Sequence, residues 1–209
     1  MSPIFQLRAR GTGEYGSQSG FNIIELMVVM AIVTIMATIA VPSFMTMSRD
    51  SRLAVKHNDF LGTLNLARNE AVTRGRSVTI CKWGVNDDCN GQEWEDGWIV
   101  FVDINRNGIV DSSVDTDGDG VDDSSEIIRV YPPLSNNNTL RGINTAANRI
   151  VFTSQGMLPA IGKLTFCDSR GANHARGLIL SRSGQARIAR DSDNNGTRDD
   201  NGVDLVCPS

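Results

Sequence analysis

The chain has 209 residues, enough for one domain and a membrane anchor, and its apolar fraction of 40% is typical of a chain that folds. This composition excludes a wholly disordered protein. The formal net charge of -4 provides no overall attraction to nucleic acid phosphates, so any contact with DNA would have to be local.

The first 20 residues are polar, contain Gly and Ser, and have few apolar groups, so they cannot contribute to a core. Segment 1–20 is therefore predicted to be a leader peptide that lies outside the fold. Removing it would leave 18 basic and 23 acidic residues, so the rest of the chain would remain acidic.

A long apolar stretch follows at 21–47. The 21 residues from Phe21 to Val41 carry one formal charge, that of Glu25, and a helix of about this length crosses the hydrocarbon core of a bilayer. A secretory signal would have a shorter apolar core followed by an Ala-x-Ala cleavage site, and the sequence has neither. The stretch is therefore predicted to be a retained membrane helix.

Glu25 is the unusual residue of this helix. A charged side chain at the bilayer centre costs roughly 2.5–3.5 kcal/mol, and less near the end of the helix, so an acid there indicates a partner. The alternative is a plain membrane anchor in which Glu25 has no function.

The residues around this acid resemble the class III signal of type IV pilins and type II secretion pseudopilins. The similarity consists of the polar leader, the pair Gly20-Phe21, Glu25 within the apolar run, and Pro42 near its far end. It implies that a prepilin peptidase cuts after Gly20 and methylates the new amino group of Phe21. It also implies that Glu25 meets the N-terminal amine of a neighbouring subunit on polymerisation.

Beyond residue 47 the helical pattern becomes amphipathic. Apolar residues recur at steps of three, four or seven, as on a helix that packs against a sheet. The stripe consists of Leu53, Phe60, Leu64, Ala67 and Ala71. Pro42 is expected to kink the helix, which is predicted to run to Arg74 and to stop at Gly75.

After the helix, short strands alternate with Gly, Asn, Asp and Pro clusters. The predicted strands are 77–82, 97–103, 126–131, 149–153 and 164–168, followed by a hairpin over 177–190. If Ser183-Gly184 forms a two-residue turn, Arg182 opposes Gln185 and Leu180 opposes Arg187. The two arginines would then share one face of the hairpin. A long helix on an antiparallel sheet is an α+β architecture.

Six segments from residue 66 onward resemble, in order, the GspH/FimT/FimU-type minor pilins. They are LARNEAVTRG, VTICK, GWIVFVDINRNG, IVFTSQG, LTFCD and GLILSRSGQAR. The resemblance covers roughly Gly20 to Cys207. It implies a type IV pilin-like fold, in which a long N-terminal transmembrane helix packs on an antiparallel sheet head with a GspH-like C-terminal hairpin.

The same resemblance implies a low-abundance subunit that helps to initiate or cap a type IV pilus. In this interpretation 21–47 is the transmembrane and assembly helix, and 48–209 is a periplasmic head with a helix at 48–74 and a sheet region at 76–209. The protein would cross the inner membrane once and later enter the pilus fibre or its tip. Its implied partners are other pilins and minor pilins, the prepilin peptidase and the inner-membrane assembly platform. The alternatives are a FimT-like subunit that binds DNA for transformation and a type II secretion pseudopilin.

The four cysteines, Cys81, Cys89, Cys167 and Cys207, have no Cys-x-x-Cys zinc spacing. A head delivered through the inner membrane would meet an oxidising periplasm, so two disulfides are predicted. Of the three possible pairings, Cys81 with Cys89 and Cys167 with Cys207 is favoured. Each bond would then close one loop, and the second would also hold the C-terminal tail.

An acidic insert at 103–126 contains eight acids and one Arg. Within it Asp115, Asp117, Asp119 and Glu126 match the pattern D-x-D-x-D-G-x5-E, whose oxygens wrap a calcium ion. The alternative is that Asp, Asn and Gly only form solvated turns between strands. Two similar loops lack the final Glu; they contain Asp103, Asn105, Asn107, Gly108 and Asp111, and Asp191, Asp193, Asn195 and Gly196.

Basic residues gather late in the chain. Segment 163–190 has six Lys and Arg against one acid, Asp168, which makes a candidate phosphate-binding strip. Arg182 and Arg187 are its candidate DNA contacts. Family members that take up DNA carry Gly-Arg-x-Arg, and the matching segment 184–187 is Gly-Gln-Ala-Arg, which lacks the first Arg. The alternative is that these arginines are solvated or pair with the acidic loops.

No catalytic motif is present. Gly-x-Ser-x-Gly and His-Glu-x-x-His are absent, and neither His57 nor His174 has a nucleophile beside it in the sequence. His57 is interpreted as a packing or solvated residue of the helix. The chain is predicted not to be an enzyme.

Overall fold

The computed structural model contains two compact units, Met1–Thr46 and Met47–Ser209. Helix α1 spans Ile23–Arg74 and is the one helix of the described residues that is long and apolar enough to cross a membrane. The structure describes residues 20–84, 89–104, 109–111, 126–134 and 137–208.

The described part of the first unit is the apolar part of α1. Every residue of 21–47 is exposed, and Pro42 lies inside the helix, where it provides no N–H donor. The hydroxyls of Thr34, Thr38 and Thr46 donate to carbonyls of the preceding helical turn. The helix surface therefore presents apolar groups on all sides.

In the second unit, α1 buries the face that the apolar stripe predicts. All five residues of the stripe are buried, together with His57 and Thr63. The helix ends at Arg74, and Gly75 has a φ of +63°. A glycine in this left-handed conformation is a common helix stop, and the predicted end of the helix is confirmed.

Ten strands follow in the described residues. They are β1 (Val78–Lys82), β2 (Trp98–Val102), β3 (Ile127–Tyr131), β4 (Thr139–Asn144), β5 (Arg149–Phe152), β6 (Gly162–Cys167), β7 (Arg176–Leu180), β8 (Ala186–Ile188), β9 (Asp199–Asp200) and β10 (Val203–Asp204). Two four-stranded antiparallel sheets have the orders β3-β2-β1-β5 and β4-β6-β7-β8, and β9 pairs with β10. The predicted α+β fold, a long helix with an antiparallel sheet head, is confirmed.

One hydrophobic core joins α1 to both four-stranded sheets. Phe60 of α1 lies within it, with its ring centroid 4.9 Å from that of Trp98 and 5.6 Å from that of Trp94. The Trp98 indole donates to the hydroxyl of Thr63 (3.2 Å), and the Trp94 indole donates to the carbonyl of Ala146 (3.0 Å). Both buried N–H groups are thus satisfied, as the low polarity of a core requires.

Three strands were not predicted. Strand β4 has the sequence TLRGIN, in which Gly142 interrupts the apolar alternation. A Cβ at Gly142 would lie 1.8 Å from the carbonyl oxygen of Ala146, so close backbone approach explains this glycine. Strands β9 and β10 have two residues each and include Asp199, Asp200 and Asp204, a residue type that disfavours strands.

The C-terminal hairpin differs from its prediction at the turn. The Ser181 N–H donates to the Gln185 carbonyl and the Gly184 N–H donates to the Ser181 carbonyl, both at 3.0 Å. Gly184 has a φ of +75°, as in three-residue hairpin loops that end with a left-handed glycine. The predicted two-residue turn, with Arg182 opposite Gln185, is therefore wrong.

This longer loop shifts the register of the hairpin by one residue. Leu180 pairs with Ala186, and Arg187 pairs with Ile179 instead of Leu180. Arg182 lies in the loop itself. The predicted strand face shared by Arg182 and Arg187 is not present.

We expect Gly184→Ala to destabilise the head strongly. A Cβ at this position would lie 1.9 Å from the carbonyl oxygen of Gly156, and this backbone atom cannot rotate away. Left-handed strain and overpacking together should cost about 2–5 kcal/mol in the free energy of unfolding, measured by chemical denaturation.

Gly171→Ala is the matched control for this substitution. Gly171 has a similar φ of +84°, but a Cβ added there would point into open space, with no neighbouring side chain or strand within 4 Å. Gly171→Ala should lower the free energy of unfolding by only about 1–2 kcal/mol, through backbone strain alone. Equal losses for the two variants would contradict the close contact between Gly184 and Gly156.

Candidate functional site

The predicted cleavage residues lie immediately before α1. Gly20 is exposed, and Phe21 exposes 81% of its surface. The helix begins two residues later, where the Asn22 side-chain oxygen accepts a hydrogen bond from the Ile24 N–H (3.3 Å). Asn22 is thus the N-cap of α1, which was not predicted from the sequence. An Asn directly before an apolar helical run is a typical N-cap pattern and could have identified it.

Glu25 lies exposed in the first turn of α1. The positive end of the helix dipole favours a carboxylate at this position. Among the described residues, its carboxylate has no hydrogen bond and no ion pair. A counter-charge for Glu25 would therefore have to come from outside this part of the chain.

The head contains two disulfides, Cys81–Cys89 and Cys167–Cys207, which is the pairing favoured from the sequence. The first joins the end of β1 to the following loop. The second joins the end of β6 to the C-terminal tail. Cys167 also belongs to a small second core with Ala175, Ile179, Ala189 and Leu205.

The acidic insert is described only at its borders. Glu126 is buried, and its two carboxylate oxygens accept hydrogen bonds from the N–H groups of Ile104 (2.6 Å) and Asp111 (3.0 Å). Glu126 thus connects two backbone positions of the insert to the start of β3, and calcium binding there stays a prediction. The other predicted ligands outside the described residues are Asp115, Asp117, Asp119, Asn105 and Asn107.

The loop that begins at Asp191 brings three carboxylates together. Asp191, Asp193 and Asp199 each place one oxygen within 4.8 Å of the others. Asp191 also accepts a hydrogen bond from the N–H of Gly196 (3.0 Å). Three hard oxygen donors at this spacing have the chemistry that calcium prefers, but no structural observation tests the prediction.

Asp199 was missing from the predicted ligands of this loop. It occupies the ninth position counted from Asp191, and the ninth position of calcium loops often contributes an oxygen, so the loop numbering was the available signal. Hydrogen bonds from the backbone N–H of Gly202 (3.0 Å) and from Ser192 lower the pKa of Asp199 below its ordinary value.

The two candidate DNA contacts differ in their surroundings. Arg182 is exposed, and its backbone carbonyl accepts a hydrogen bond from Leu158 N–H (3.0 Å). Arg187 forms an ion pair with Asp200 of β9, which compensates part of its charge. DNA binding by these arginines stays a prediction.

A partly buried ion-pair network that the sequence did not predict connects α1 to the loop after β6. Nη2 of Arg170 lies 2.7 Å from Asp168 and 2.8 Å from Asp50 on α1. Burial alone would raise the pKa of Asp168, but hydrogen bonds from Arg170 outweigh it and lower the pKa below its ordinary value. Asp50 and Arg170 are so far apart in sequence that only the fold brings them together.

His57 is a packing residue. It is buried, its ring contacts Phe166 edge-on at 5.6 Å, and its Nε2 lies 3.3 Å from the Gly177 carbonyl. Burial lowers the pKa of His57 below its ordinary value, because the surroundings disfavour a charged ring.

Solved structures of two proteins resemble the chain. The type IV minor pilin FimU of Pseudomonas aeruginosa is 20% identical, with a TM-score of 0.47, and the match covers 66% of this chain and 88% of that chain. The minor pseudopilin EpsH of the Vibrio cholerae type 2 secretion system is 12% identical, with a TM-score of 0.42, and the match covers 66% and 95% of the two chains. Comparison with curated protein sequences gives no significant match.

The family described as Type II transport protein GspH matches residues 57–184. This segment begins within the buried part of α1, includes strands β1 to β7 and ends in the hairpin loop at Gly184. Because the match extends over more than half of the 209 residues, the chain belongs to the GspH family.

Proposed function

We propose that the protein is a minor pilin of a type IV pilus, cut by prepilin peptidase after Gly20, methylated on Phe21, and active in initiating or capping the fibre. One observation carries this proposal. The 27 residues of 21–47 are exposed on every side of the helix, and Glu25 is their one charge.

The exposed apolar surface of 21–47 would be covered by lipid before assembly and by neighbouring subunits afterwards. Before assembly, lipid would surround the apolar residues of 21–47, which are long enough to span the hydrocarbon core. In the fibre, neighbouring helices would replace the lipid, and the amine of a neighbouring Phe21 would neutralise Glu25. The amine becomes available only after the leader is removed, so processing and assembly are coupled.

The proposed organisation follows from this. Segment 1–20 is the leader, 21–47 is the transmembrane and assembly helix of an inner-membrane protein, and 48–209 is a periplasmic head. The proposed partners are the prepilin peptidase, the assembly platform and other pilins. As a structural subunit, the protein has no catalytic role in this proposal.

Mass spectrometry of the N-terminus tests the processing step. In cells that contain a prepilin peptidase, the purified protein is expected to begin at Phe21 and to carry one added methyl group. Gly20→Leu should retain the leader, whereas the matched change Ser19→Ala should leave cleavage intact. A parent chain that keeps residues 1–20 in the presence of the peptidase would contradict the proposal.

A second candidate function is that of a pseudopilin in type II secretion, and the description of the matched family favours it. Deletion of the gene for this protein in its native host distinguishes the two functions. Loss of surface fibres with intact protein secretion supports the pilus, and the reverse phenotype supports the secretion system.

A further inference from the structure

We propose that a cavity beside the first head residues of α1 binds a phosphate group. The cavity has a volume of about 200 Å³ and is lined by Arg49, Arg52, Asn138, Asp168 and Ser169. One water needs about 10–15 Å³ of such space, so the cavity has room for a phosphate group and part of its hydration shell.

Two arginines provide the positive charge of the cavity. Arg49 and Arg52 are three residues apart on α1 and therefore project from the same side of the helix. Both are exposed, and neither side chain has a hydrogen bond or an ion pair within the described ranges. Guanidinium groups donate in a planar fork that matches the oxygens of a phosphate.

Asn138 provides an amide from a distant part of the sequence. It exposes 8% of its surface, it lines the cavity, and its amide has no hydrogen-bond partner in the part of the chain that the structure describes. An amide that is open at a cavity can donate to an anion bound there. The exposed hydroxyl of Ser169 lies at the same cavity and can also donate.

Asp168 is the one acid of the cavity lining, and it pairs with Arg170. Arg170 binds its carboxylate through Nε (3.1 Å), Nη2 (2.7 Å) and the backbone N–H (2.9 Å). Arg170 also pairs with Asp50, which in turn lies 3.8 Å from Nδ1 of His174. Asp50, Asp168 and Arg170 together carry a net charge of -1, so with the unpaired Arg49 and Arg52 the net charge around the cavity is +1, which favours an anion.

The phosphate has two chemical sources, the headgroup of an anionic phospholipid and free phosphate. Arg49 follows Met47, the last residue of the exposed apolar segment, by two positions on the same helix. If 21–47 lies in lipid, as the proposed function states, these arginines emerge where headgroup phosphates are concentrated. The headgroup source rests on that proposed function, whereas binding of free phosphate does not.

Titration calorimetry on the full chain in a non-ionic detergent tests the proposal with three probes. They are inorganic phosphate, dihexanoyl phosphatidylglycerol and, as a zwitterionic reference with no net charge, dihexanoyl phosphatidylcholine. Saturable binding of phosphate or phosphatidylglycerol is expected. Arg49→Gln and Arg52→Gln should each weaken it by about tenfold, the effect of losing one hydrogen bond to a charged group.

Two further variants make this test specific. Asn138→Asp keeps the size of the side chain but places a second acid at the cavity, and it should abolish binding. Arg76→Gln removes the same charge from an exposed position outside the cavity, and it should leave the affinity unchanged.

Each outcome decides the proposal. Binding of phosphatidylglycerol alone identifies a headgroup site, and binding of both probes in competition identifies one site for either source. Absence of saturation with both probes, or equal affinity in the parent and the Arg49 and Arg52 variants, overturns it. If the chain is processed but binds neither phosphate probe, only this inference is overturned. If the chain keeps its leader but binds phosphate, only the proposed function is overturned.

Discussion

Glu25→Leu is expected to remove the protein from assembled fibres while leaving it in the membrane. A charged side chain costs roughly 2.5–3.5 kcal/mol at the bilayer centre and less near the helix end, where Glu25 lies, whereas leucine inserts favourably, so the substitution should improve membrane insertion. Assembly should fail for a different reason, since the amine of a neighbouring Phe21 would be buried without a counter-charge. We expect the fraction of subunit in fibres to fall by at least about tenfold.

Immunoblots of sheared fibres and of membranes from the same cells measure this effect. Ile24→Leu is the matched control, because it changes the neighbouring exposed residue without altering charge, and it should assemble as the parent does. Glu25→Asp should retain partial incorporation, since the charge remains on a shorter side chain. Fibres that contain Glu25→Leu at the level of the parent would exclude the proposed pairing.

Removal of the Cys167–Cys207 disulfide is expected to destabilise the head more than removal of Cys81–Cys89. The first bond spans 40 positions of sequence and the second spans 8. Loop-closure entropy gives about 4 kcal/mol for the longer loop and about 2.5 kcal/mol for the shorter one. The longer bond also holds Leu205 in the small second core, so its loss should release the C-terminal tail.

Paired Cys→Ser variants allow the two bonds to be compared directly. Because Trp83, Trp94 and Trp98 all lie in the head, their fluorescence reports its unfolding in denaturant. The tail of the Cys167→Ser/Cys207→Ser variant should also become sensitive to protease. A larger loss of stability for the Cys81→Ser/Cys89→Ser variant would contradict the ranking by loop length.

Features that depend on neighbouring residues could be predicted from the sequence. The buried stripe of α1 follows from a period of 3.6 residues, and its end at Gly75 follows from local backbone chemistry. Strands β1 and β2 are runs of apolar and β-branched residues, so they too could be predicted from the sequence.

Features that depend on contacts between distant segments could not be predicted from the sequence. Gly184 of the three-residue hairpin loop lies against the backbone of Gly156, and nothing within 181–185 reveals that contact. Local alternation does not predict β4 either, since Gly142 is explained by the carbonyl of Ala146.

The candidate sites divide in the same way. Glu25 and the cysteine pairs could be identified from their spacing along the chain. The ion pair of Arg170 with Asp50 arises only when the loop after β6 folds against α1, and Asn138 joins the same cavity from the segment before β4. Three-dimensional placement, and not residue type, makes these side chains candidates for binding.

The packing of α1 within the second unit has a mechanical consequence. A pull along the part of the helix from Met47 to Arg74 would act on its buried face. The load would then fall on Phe60, Leu64 and their neighbours as sideways shear against two sheets. Resistance to such force depends on the rate of unfolding, so the tensile strength of the subunit is set by the packing of this one interface.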